Sequence, residues 1–206
     1  MFDQLSRSPR RPLSSEILAL PFAAHLSYGT KGCRLVCRNA ILRYSDNSHL
    51  RTITMKVIPP TSPDRYITGF DALNIPLTDG TAADWHFIAT FVESNRNARL
   101  AGVDYPNTSA LFGGYGVREC GASLRSAGRP DVSGPVWAAD FVRAVLDLVY
   151  RSAVVDGVRP DHVAAGDLLD RDSDRGALSA KLAELKSRIS DNSRKLIEEW
   201  ETKQLA

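Results

Sequence analysis

ALSAKLAELKSRISDNSRKLIEEWETKQ, residues 177–204, decides how this chain is built. Leu178, Leu182, Leu185, Ile189, Leu196 and Trp200 follow one another at steps of four, three, four, seven and four. Those steps keep them on one stripe of an α-helix, close to the heptad seam of a coiled coil. The spacing predicts one long amphipathic helix over 177–204. Its seam needs a second surface: the chain's own domain, a second copy, or another protein. Asn192 falls on the seam, where a buried amide sets register or partner choice. DRDSDRG, residues 170–176, precedes the helix as a charged hinge, and its acidic residues suit a helix start.

Upstream, a second helix is predicted from Val136 to Val155. Trp137, Phe141, Val145, Leu148 and Val149 line its buried face, and Asp140, Arg143, Asp147 and Arg151 alternate in charge along the other. Gly157 and Pro160 stop it, and a short helix follows from Pro160 to Leu169. Thr81, with Asp84 three residues on, is placed to cap a helix carrying Trp85, Ile88, Phe91 and Val92.

The first half reads as strands. Cys33, Leu35 and Cys37 alternate with Arg34, Val36 and Arg38, and Ile41, Leu42 and Tyr44 continue the run. SDNS, residues 45–48, is a turn, and Leu50, Ile53, Met55 and Val57 return as the partner strand of an antiparallel hairpin. LFGGYGVREC, residues 111–120, reads as a bent or bulged strand or hairpin. The expected fold is α+β: an antiparallel sheet, packed helices and the long C-terminal helix. It is organised as a flexible basic N-terminus over 1–13, one α+β domain over 14–169, and a hinge and helix over 170–206.

The bulk numbers suit this picture. There are 206 residues, 43% hydrophobic and 24% charged, with a net charge of +2, which argues against a strongly basic nucleic-acid binder. Arg7, Arg10 and Arg11 form a local basic cluster, the candidate for contact with DNA. Three cysteines are too few for a disulfide framework, so a reducing, cytoplasmic compartment is expected. Ile17–Leu26 is apolar and follows arginines, but Glu16, Pro21 and His25 mark it as a structured segment rather than a targeting sequence. No apolar run is long enough to span a membrane.

Candidate chemistry is sparse. In DWHF, residues 84–87, His86 could act as general base or acid, but on a helix Asp84 and His86 would not face each other. FGGYG, residues 112–116, lacks the lysine and hydroxyl of a P-loop, and Arg118 and Glu119 follow it. Cys33, Cys37 and Cys120 lack a second ligand pair for zinc. Ser123 and Ser133 lie in polar loops with no nucleophile elbow. No metal or cofactor is expected. If there is catalysis, Asp84, His86, Arg118 and Glu119 would carry it, on a nucleotide or nucleic acid.

ALNIPLTDGTAADWHF, residues 72–87, and WAADFVRAVLDLVY, residues 137–150, resemble segments of small bacterial proteins encoded beside nucleotidyltransferase-like toxins of the abortive-infection type. The resemblance covers these two stretches and implies the antitoxin side of the pair. The chain lacks the Gly-Ser and paired carboxylates that the toxin itself needs. The expected function is therefore protein binding: neutralising a cognate toxin in a toxin–antitoxin or phage-defence pair. Leu178, Leu182, Leu185, Ile189, Leu196 and Trp200 would be the contact residues. Self-association through the same seam is the other outcome.

Overall fold

A computed structural model describes residues 41–44, 51–84, 86–94 and 96–205, with side chains from residue 55 onward. All of them fall in one compact unit, Arg34–Ala206. Arg7, Arg10, Arg11, the segment Ile17–Leu26, Cys33, Cys37 and Trp85 lie outside the described residues.

The fold is α+β. Strands β1 (Ile41–Tyr44) and β2 (Arg51–Thr54) pair antiparallel, Ile41 opposite Thr54 and Tyr44 opposite Arg51. This is the hairpin that the alternation and the intervening turn residues predict. α1 (Gly69–Leu73) and a π-helical turn (Ile88–Val92) follow, then α2 (Ser109–Phe112) and β3 (Val117–Glu119). After α3 (Gly121–Ser126) comes β4 (Trp137–Ala139), antiparallel to β3 with Val117 opposite Ala139. The 111–120 segment is thus helix, turn and strand in succession, and Ser123 sits in α3, not in a polar loop.

β4 is widened by single bridges. Ile67 N–H donates to Trp137 O at 2.9 Å, and Ala139 N–H donates to Ile67 O at 2.8 Å. On its other side, Ala101 N–H donates to Tyr66 O at 2.9 Å. Tyr66 and Thr68, two apart on extended backbone, project to one face, and Ile67 projects to the other.

α4 (Phe141–Tyr150) is the centre of the molecule, and every residue from Phe141 to Val149 is buried. Its start lies later than the predicted Val136, because Trp137–Ala139 are held in β4 and Asp140 caps the helix, accepting from Arg143 N–H at 2.8 Å. A polar outer face does not exist here. Arg143 and Asp147 are both 0% exposed and ion-paired at 3.1 Å. α1, β4 and α6 pack against α4, so the Arg143 and Asp147 charges meet protein where the pattern expected water.

The helix pattern also broke early at Thr81. Thr81–Asp84 and His86 are not helical, since Asp79 Oδ1 accepts from Thr81 N–H at 2.9 Å and makes a local turn instead of a cap. Ile88 is accordingly exposed, whereas Phe91 and Val92 are buried.

A second π-helical turn, Arg151–Val155, ends α4, and Gly157 follows in left-handed backbone at φ 66°. The expected 160–169 helix is reduced to α5 (Ala165–Leu168). The C-terminal helix is long but divided: α6 spans Asp172–Lys186 and α7 spans Asp191–Gln204. α6 begins inside the predicted hinge, with Asp172 and Asp174 in its first turn, where the helix dipole favours acidic groups. The division has a local cause. Ser187 Oγ donates back to Glu184 O at 2.7 Å, and Ser190 caps α7 by accepting from Ser193 N–H at 3.3 Å.

The division shifts the helical phase. Leu178, Leu182, Leu185, Ile197 and Trp200 are buried, Ile189 and Leu196 only partly, and Asn192 is exposed rather than on the seam. Trp200 Nε1–H donates to Val163 O at 2.9 Å. The seam packs against the chain's own core.

Candidate functional site

Two polar constellations distinguish this molecule, one sealed and one open. The sealed one surrounds Asp147. Its carboxylate accepts from Thr68 Oγ1 at 2.6 Å, Thr108 Oγ1 at 2.5 Å, Tyr66 Oη at 3.0 Å and Arg143 Nε at 3.1 Å. Arg143 also donates through Nη2 to Thr108 Oγ1 at 2.8 Å and through Nη1 to Tyr115 O at 2.8 Å. Its guanidinium lies 5.3 Å from the Tyr66 ring centre and 5.2 Å from that of Phe112. Burial pushes the Asp147 carboxyl above its ordinary value, against the opposing pull of Arg143 and the hydroxyls. Burial likewise raises the Tyr66 hydroxyl. The spacing of Gly116 belongs to the same assembly: at φ 69°, an added Cβ would stand 2.6 Å from Arg143 Cβ. With Tyr66, Thr68, Thr108, Arg143 and Asp147 all buried, this network organises the core and offers no face to a ligand.

The open one is a cleft of about 430 Å³ at the C-terminal end of α4. Leu148 of α4, Arg151 and Ser152 of the π-helical turn and Asp156 just after it form one wall. Arg99, Asp104, Tyr105 and His162 complete it. The π turn sets the first wall, because Asp156 N–H donates five residues back to Arg151 O at 2.9 Å. That brings the Asp156 carboxylate under Arg151 Nε, which donates to both oxygens at 3.0 Å. Arg151 Nη1 donates to Asp104 O at 2.8 Å. The Tyr105 hydroxyl, with Asp71 and Asp104 nearby, raises the Arg99 pKa further above an already high value. His162 leans on Phe70, ring centres 6.1 Å apart.

Against this geometry, no protein-family model matches the chain. Neither a curated protein nor a solved structure matches it.

The sequence-derived candidates are dispersed. Asp84 and His86 do meet: Asp84 Oδ1 contacts His86 Nδ1, because the segment is bent rather than helical. Asp84 Oδ2 accepts from Asn74 Nδ2 at 3.3 Å. Arg118 points elsewhere, donating to Ile75 O at 3.1 Å and Pro76 O at 3.3 Å, and burial lowers its pKa. Glu119 Oε1 accepts from Gly121 N–H at 2.7 Å and Val136 N–H at 3.2 Å. Arg118 and Glu119 thus brace backbone in neighbouring loops. Cys120 is buried, and burial pushes its thiol up to about 12. Among the described residues no group of three or more His, Cys, Asp or Glu could hold a metal ion. No described helix is long and apolar enough to cross a membrane. The Arg99–Arg151 cleft was missed from sequence because its residues come from three separate segments. The one local signal, Arg151 and Asp156 before Gly157, reads as an ordinary helix end.

Proposed function

We propose that the chain is a protein-binding module. It acts in the bacterial cytoplasm as the antitoxin of a toxin–antitoxin or phage-defence pair and neutralises its partner by direct contact. The observation that supports this reading is a set of exposed apolar side chains near the arginine cleft. Of the six large apolar side chains exposed among the described residues, four adjoin residues that line the cleft, in sequence or through a contact. Val103 precedes Asp104, Val155 precedes Asp156, Val158 N–H bonds Ser152 O, and Phe70 rests on His162. Exposed apolar side chains beside anchored arginines and aromatics are the composition of a recognition surface. The stretch 137–150, which resembles antitoxin-side proteins, supplies the helix that backs this cleft. The contact residues differ from those expected of the helical seam, whose leucines and Trp200 are occupied inside the chain.

The test is co-purification with the neighbouring gene product from the native host. Val155 and Val158 are 54% and 53% exposed, so a V155D/V158D chain keeps its fold. Its partner affinity is expected to fall at least about tenfold. A wild-type chain that does not retain that product, or a double variant that retains it fully, overturns the reading.

The Asp84–His86 contact favours a second reading, a nucleotide- or nucleic-acid-processing enzyme, since a carboxylate-held imidazole is the arrangement of a general base. Nucleotide turnover that His86→Gln abolishes would support it, and a wild-type chain without turnover removes it.

A further inference from the structure

We propose that the cleft between Arg99 and Arg151 binds a small phosphate monoester, its oxyanion held by the two guanidiniums. The proposal does not depend on a protein partner.

The argument starts from donors and acceptors. A guanidinium carries five N–H groups. Arg151 engages Nε–H with Asp156 and one Nη1–H with Asp104 O, and the others find no partner among the described residues. Arg99 lines the same cleft, with the Tyr105 hydroxyl and the Asp71 and Asp104 carboxylates near its guanidinium. Both Asp156 oxygens take Arg151 Nε–H, and Asp104 Oδ2 takes Leu100 N–H at 2.9 Å. Asp156 therefore orients Arg151 and leaves the rest of its Nη donors for a ligand. Arg151, fixed before the ligand arrives, matches the fork geometry of a phosphate and avoids part of the ordering cost, and Arg99 in the same cleft supplies the second guanidinium.

The second observation is the backbone. An α-helical ending would leave residues 151 and 156 on different faces, five positions apart; the π turn stacks them on the cleft. Such turns concentrate at functional sites. The third is size. About 430 Å³ exceeds the need of a bare phosphate and falls in the range of roughly 300–1,000 Å³ that small-molecule sites occupy. Leu148 and Tyr105 also line it, beneath the polar groups.

Calorimetric titration of the full chain tests this, with adenosine monophosphate, inorganic phosphate and a hexaglutamate peptide as separate probes. The monophosphate is expected to bind more tightly than inorganic phosphate, and Arg99→Gln and Arg151→Gln each to weaken it about tenfold. Arg99 is exposed, so R99Q keeps the test intact if R151Q fails to fold. Absence of monophosphate binding, or binding unchanged in R99Q, overturns the proposal. So does binding of inorganic phosphate with the monophosphate excluded. Hexaglutamate binding without either phosphate assigns the arginines to protein carboxylates instead.

Discussion

Arg143 and Asp147 hold opposite charges where water does not reach, and four donors converge on one carboxylate. Removing two ions from water is costly, and the pair persists because its attraction and its hydrogen bonds together offset that cost. The loss of one member leaves the other charged, buried and uncompensated. Arg143→Met or Asp147→Leu is therefore expected to cost about 3–5 kcal/mol in urea unfolding. The R143M/D147L double variant should lose clearly less than the sum of the two. Additive losses would show that the two side chains do not act as a unit. The spacing of four between them was legible in the sequence, but the side of the helix was not. Periodicity identifies helical neighbours; it does not reveal that hydroxyls at 66, 68 and 108 wait on the same side.

At the level of elements, the C-terminal helices show how far a pattern carries. The leucines at 178, 182 and 185 are buried as their spacing predicts. Beyond them the phase slips, because Ser187 and Ser190 end one helix and start another. The signal was present as Ser190 followed by Asp191, a cap with an acidic first turn, yet it lay inside a run whose apolar steps fit one helix almost as well. The slip makes a sharp prediction. Ile197 is 0% exposed, so Ile197→Asp should cost about 3 kcal/mol or more, whereas half-buried Leu196 should tolerate Asp at well under half that cost. Thermal melts of the two variants separate the registers, and a reversed order would restore the single continuous seam. The β1–β2 hairpin was legible for a simpler reason: alternation, turn and return lie within fifteen residues or so, a local pattern.

Across the whole molecule, burial has fixed protonation states as well as packing. The Cys120 thiol and the Tyr66 hydroxyl both ionise later in the fold than in the open chain, because desolvation disfavours their anions. The folded state therefore holds protons that the unfolded state releases. Their stabilising contribution is complete below the ordinary values and is lost as pH climbs. The urea midpoint should fall as pH rises from 9 toward 12, and Cys120→Ala should flatten part of that decline. An equal slope in the variant would remove Cys120 as a contributor. The cleft at the end of α4 also belongs to this scale. Arg99, Arg151 and His162 come from distant segments, and only the closed fold brings them to one opening.

The sealed pair in α4 bears on descent as much as on stability. A lineage cannot drift through position 143 or 147 singly, since each lone change passes through an unstable intermediate. The charges should be kept together or exchanged together for apolar residues, with the hydroxyls at 66, 68 and 108 relaxing only after the exchange. Five positions scattered along the chain thus behave as one inherited character. That character can identify distant kin where overall similarity has faded.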